Sequence, residues 1–182
     1  STFRKLAIGT WKTVGDPSVY GTLEVTMDKA LDYIERYRQS TGTRVTISHL
    51  MAKAAGAALV EEPAINSVLR FNRIYQRKRI GVFFQVAMKD ENGKLDLSGT
   101  TVYDVEKKDI GTIVSEFEEQ VTLVRERKDP NLEKTRGMFK HIPFMMMNLM
   151  MSFIGFVAYT LNMKLPGTAR DPFGSMLITN IG

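Results

Sequence analysis

The chain contains no cysteine, which excludes disulfides, thiolate metal sites and a cysteine nucleophile. Histidine is almost as scarce: only His49 and His141 can offer an imidazole. No metal site is expected from this composition. No secretory signal opens the chain, and the expectation is a cytoplasmic protein. Internal repeats and low-complexity linkers are lacking too. The remainder is ordinary: 182 residues, 43% apolar and 25% charged, which suit one domain over 1–182 with a hydrophobic core. The net charge of +5 is scattered, with its densest group at Arg70, Arg73, Arg77, Lys78 and Arg79, beside Phe71 and Tyr75. Basic and aromatic residues together can bind nucleic acid. Alternation over Val68 to Tyr75 reads more simply as a strand pair with a solvated face, so no nucleic-acid partner is expected; an anionic substrate would account for the charge equally.

Hydrophobic period supplies the elements. Tyr20 to Met27 alternates Leu23, Val25 and Met27 with Thr22, Glu24 and Thr26, the pattern of a half-buried strand. Asp28 is expected to cap a helix carrying Ala30, Leu31, Ile34 and Tyr37, which Gly42 ends. A second helix is predicted from Ile47 to Glu61, capped by Thr46 or Ser48, with Leu50, Met51, Ala54, Ala55, Ala58 and Leu59 as its buried stripe and Pro63 as its stop. Strands follow at Ser67–Phe71, Ile74–Gln76 and Ile80–Met88, the last nearly all apolar and therefore central. Asp90 to Gly93 is a turn, and after Leu95, Leu97, Val102 and Tyr103 comes a third helix, capped by Asp109, with Ile110, Ile113, Val114, Phe117, Val121 and Val124 on one face. The order predicts a mixed α/β sandwich.

Ile142 to Met163 contains no charge and five methionines, Met145, Met146, Met147, Met150 and Met151. It is long enough to cross a hydrocarbon core. However, it interrupts a domain that resumes at Asp171, and methionine suits irregular protein surfaces. Burial against protein or another subunit is the first reading, contact with a membrane surface the second and a true span the last.

The chain closes on DPFGSMLITNIG, Asp171 to Gly182, where a short alternating strand runs into Thr179, Asn180 and Gly182. This stretch resembles the GGTFTISNLG strand of the dihydrolipoamide acyltransferase cores of 2-oxo acid dehydrogenase complexes, with Thr179 where that family has Ser or Thr. ISHLMAKAAGAALVEEPAINS (Ile47–Ser67) is similar to the family's helix that ends in a proline. IGVFFQVAMKDENG (Ile80–Gly93) resembles its central strand and turn, and LSGTTVYDVEKKDIGTI (Leu97–Ile113) its next strand and helix start.

The resemblance implies an α/β, mixed-sheet two-layer sandwich, like chloramphenicol acetyltransferase. It implies transfer of an acyl group between coenzyme A, as acyl-CoA, and a thiol or hydroxyl acceptor, with a lipoyl acceptor on a separate domain or protein. It further implies a homo-oligomer, a trimer or a cage of trimers, with a site between subunits. In the family the residue matched by Thr179 stabilises an oxyanion, and a histidine from the neighbouring subunit, within His-x-x-x-Asp-Gly, is the base. Neither His49 nor His141 stands in that motif. His49, at a helix start, reads as a local hydrogen-bonding residue. The core is therefore expected to be incomplete at its C-terminus, with about 138–170 inserted and no lipoyl domain before it. Asn180 and Gly182 are candidate substrate contacts, and Gly174 shapes the loop before the strand; turn chemistry explains all three as well. Arg70, Arg73 and Lys78 are conceivable phosphate partners. A non-catalytic, self-assembling scaffold of the same fold is the alternative.

Overall fold

The computed structural model describes residues 19–71, 73–89, 95–126, 144–163 and 173–180. The turn expected at 90–93, His141 and Gly182 lie outside them. The elements are α1 (Asp28–Thr41), α2 (Ile47–Glu61), β1 (Ser67–Arg70), β2 (Arg73–Gln76), β3 (Gly81–Lys89), β4 (Leu95–Tyr103), α3 (Ile110–Arg125), α4 (Phe144–Gly155) with a π-helical turn over Phe156–Thr160, and β5 (Met176–Ile178). The architecture is mixed α/β, as expected. β3 is indeed central, flanked by β4 antiparallel and by β5 parallel, while β1 and β2 form a separate antiparallel hairpin.

The main core joins α2 and α3 to one face of the three-stranded sheet. Ala52 and Leu59 of α2 and Ile113 of α3 meet Val82 and Phe84 of β3 and Val102 of β4, with Ile178 of β5 packed against them. A second cluster sets Ile34 of α1 against Val45, Ile110 and Val114. All of the predicted α3 stripe is buried except Phe117, which is half-buried. Asp109 caps that helix by accepting from the Thr112 N–H at 2.9 Å and the Thr112 hydroxyl at 2.6 Å.

Three expectations are corrected. Residues 20–27 form no strand: no described strand pairs with them, and Leu23 and Val25 are 86% and 64% exposed. Alternation prepares a chain for two faces, but a strand needs a partner for its backbone. Asp28 is the first residue of α1, not its cap; Met27 holds that position and no side chain caps the helix, although a carboxylate in the first turn still suits the helix dipole. On α2 the buried residues are His49, Ala52, Ala55, Gly56 and Leu59, while Met51, Ala54 and Ala58 face solvent. This helix is apolar nearly all round, so the packing partner chose the face. The close approach falls at Gly56, where a Cβ would lie 2.8 Å from Val105 Cγ2. Lys53, one turn away, donates to the carbonyls of Val105, Glu106 and Lys108 at 3.1, 2.9 and 2.6 Å, holding the β4–α3 turn against the helix.

Candidate functional site

β5 is short, and its position depends on the glycine before it. Gly174 has φ 62°, in the left-handed region, and a Cβ there would sit 2.5 Å from the Gly81 carbonyl oxygen. Only a glycine lets the chain pass so near the start of β3. Ser175 then latches the two strands: its N–H donates to the Gly81 carbonyl at 2.7 Å, and its hydroxyl accepts from the Gly81 N–H at 3.3 Å. Gly174 therefore shapes more than the turn that its sequence context suggested.

The register pairs Phe83 with Leu177 and Phe84 with Ile178. Ile178 and Phe84 face the helices. Side chains alternate along strands, so Leu177 and Thr179 belong to the other face, with Phe83 and Gln85. No helix of the described residues covers that face: Leu97, Phe173 and Leu177 are 58%, 54% and 47% exposed, and the Phe83 and Phe173 rings meet edge-on at 5.2 Å between centroids. Thr179, one residue past the last paired position, is exposed, and the next place in the register beside it is that of Gln85, which in turn pairs with Gly99 of β4. A hydroxyl just past β5 and a primary amide on β3 thus share one open face, which by alternation also carries Lys89 at the end of β3. Both are neutral hydrogen-bond donors.

Gln85 was not singled out by sequence reasoning. Its signal was the one polar residue in Val82–Ala87, an otherwise apolar run. Asn180 is exposed next to Thr179. Arg70, Arg73 and Lys78 belong to the β1–β2 hairpin segment, a different sheet from the one that ends in Thr179. Arg79 is committed elsewhere: its Nη2 and Nε donate to Asp104 Oδ2 at 2.6 and 2.9 Å and its guanidinium stacks on Tyr103, so the partners hold Arg79 above its usual pKa range and Asp104 below the usual carboxylate range. An open cleft of about 550 Å³ lies between α1 and the start of α2, lined by Leu31, Ile34 and Arg38 among others, with no residue of β5 in its wall.

His49 occupies the opposite side of the sheet. It is 3% exposed, in the helix layer, with its ring 5.8 Å from that of Phe84 and 5.0 Å from that of Phe117. Its Nδ1 accepts the Thr46 N–H at 3.1 Å, so histidine takes the place of the usual glutamate in a capping box. That bond leaves the proton of the neutral ring on Nε2, which is buried with no hydrogen-bond partner among the described residues. Burial lowers its pKa to about 4. The residue is a structural hydrogen-bonding group, as expected, and the sheet separates it from Thr179.

Residues 11–140 match the family model described as the catalytic domain of the 2-oxoacid dehydrogenase acyltransferases. The chain belongs to this family. The matched stretch ends before α4, so the methionine-rich helix, β5 and Thr179 lie outside it. Among solved structures, the chain is similar to a dihydrolipoamide acetyltransferase of Azotobacter vinelandii (20% identity, TM-score 0.47, covering 56% of this chain and 42% of that one). It is also similar to a probable dihydrolipoamide acetyltransferase of Listeria monocytogenes 4b F2365 (22%, 0.45, 54% and 40%). A truncated catalytic core of the 2-oxoacid dehydrogenase multienzyme complex of Thermoplasma acidophilum is a third such structure (18%, 0.44, 54% and 44%). The chain thus spans less than half the length of each. No curated protein matches it.

Proposed function

We propose that this chain carries the oxyanion-binding side of a CoA-dependent acyltransferase centre of the dihydrolipoamide acyltransferase type. The observation that carries the reading is Thr179 at the end of β5, on the open face of a sheet whose other strands belong to the family's catalytic domain. In transfer from acyl-CoA to a thiol, the acceptor sulfur bonds to the thioester carbonyl carbon, and that oxygen becomes an oxyanion until the CoA thiolate leaves. A preorganised neutral donor stabilises the oxyanion without a compensating charge in the ground state. The Thr179 hydroxyl is that donor, and the Gln85 amide, on the adjacent strand, is a second. Asn180, exposed next to Thr179, and Gly182 are candidate substrate contacts. The proton of the acceptor goes to a base approaching from the open face, because His49 lies behind the sheet. The uncovered apolar side chains of that face, Leu97, Phe173 and Leu177, are where a second subunit of a homotrimer would close the channel.

The test is Thr179→Ala in the protein that carries this domain. Turnover between acyl-CoA and a dihydrolipoyl acceptor should fall by roughly a hundredfold or more, with little change in KM or melting temperature, and Thr179→Ser should restore most of it. Unchanged turnover removes Thr179 from the mechanism. Absence of any acyl transfer by the unsubstituted protein, with self-assembly intact, would establish the scaffold alternative.

A further inference from the structure

The α4 helix and the β1–β2 hairpin present a surface for which acyl transfer has no use. Met146, Leu149, Phe153 and Phe156 recur at spacings of three, four and three and are 56%, 73%, 61% and 50% exposed. Such spacing makes one stripe along the helix, and contiguous apolar surface of this kind marks an interaction site. The segment is not simply loose from the protein: Val157 and Ala158 in the π-helical turn are buried, and β1 packs against that turn. The hairpin therefore lies against the turn that ends the stripe at Phe156, and it exposes Leu69 and Phe71, 62% and 66%.

Charge decides what covers this surface. From Asn66 to Ile80 there are five cations and no carboxylate, and Phe144 to Met163 carries no charge of either sign. Arg73 and Lys78 are exposed, whereas Arg79 is engaged by Asp104. We propose that α4 and the hairpin together dock on an anionic lipid surface. The helix lies in the interface plane with its stripe at the acyl boundary, while Arg73 and Lys78 reach lipid phosphates. Among the described residues no helix is long and apolar enough to cross a membrane, so the geometry is that of lying on the bilayer. A second copy placed face to face would oppose hairpin cations to hairpin cations with no carboxylate to pair them. Nucleic acid would use the cations but leave the stripe uncovered. Nothing in this proposal depends on Thr179.

Sedimentation of the 182-residue chain with vesicles tests it. Mixed phosphatidylserine and phosphatidylcholine vesicles should carry the chain down, less so as salt is raised, and phosphatidylcholine alone should not. Leu149→Asp with Phe153→Asp should lower the partition coefficient by about a hundredfold or more. Arg73→Ala with Lys78→Ala should lower it roughly twenty-fivefold, about fivefold per cation. Both pairs lie at exposed positions, and circular dichroism should be unchanged. Three results overturn the proposal: no vesicle binding, equal binding to phosphatidylcholine alone, or binding undiminished in the stripe variant. Self-association lost in the stripe variant, without vesicle binding, assigns the surface to a second copy; oligonucleotide binding lost with the two cations, without vesicle binding, assigns it to nucleic acid.

Discussion

Acidification from pH 7 to pH 4 probes the burial of His49. In the folded protein its pKa is about 4, against an ordinary 6.5, because the buried ring lies against Phe84 and Phe117. A base whose pKa is lowered by folding binds fewer protons in the native state than in the unfolded one, so its stabilising contribution is complete above pH 6.5. It is lost progressively as the pH falls from 6.5 towards 4, and changes no further below that. The full difference corresponds to about 3 kcal/mol. Local opening that lets the imidazolium reach water reduces this to about 2 kcal/mol, or roughly 4–8 °C in melting temperature for a chain of this size. The comparison is with His49→Gln, whose amide oxygen can still accept the Thr46 N–H in the manner of a capping box but does not titrate. Asp104 and Asp109, both held below the usual carboxylate range by their donors, lose stability on acidification in either protein, so their effect cancels. Calorimetric melting at intervals between pH 7.5 and pH 4 should show the unsubstituted chain falling more steeply by that amount. Parallel profiles would refute the assignment of the acid sensitivity to His49.

Two further perturbations test how β5 and α3 are held. Gly174→Ala forces a Cβ to within 2.5 Å of the Gly81 carbonyl at a positive φ and should cost about 1–3 kcal/mol; hydrogen exchange should then show loss of protection in β5 before the rest of the sheet. Asp109→Ala removes the acceptor for the Thr112 N–H and should cost about 1 kcal/mol in urea unfolding with the m-value unchanged.

Local signals in the sequence were enough to determine α3. Its cap, its first-turn hydrogen bonds and its apolar stripe are all separated by four residues or fewer along the stripe, so each is written within reach of the next. The nearly continuous apolar run of β3 likewise announced a strand covered on both edges. For α2 the sequence determined a helix and both its ends but not its buried side, since alanine and glycine leave most of the circumference compatible with packing. The alternation of 20–27 marked two faces without supplying a partner. Thr179 could be named from its surroundings in the chain, yet its setting could not: the face it shares with Gln85 follows from the parallel pairing of β5 with β3, whose partners are more than ninety positions apart. The same holds for His49, whose bond to Thr46 is local and whose aromatic enclosure by Phe84 and Phe117 is not. Periodicity and caps are properties of neighbouring residues, while pairing and burial belong to segments distant in the chain, and this is why the tertiary structure alone decided that His49 lies on the helix side of the sheet and Gln85 on the other.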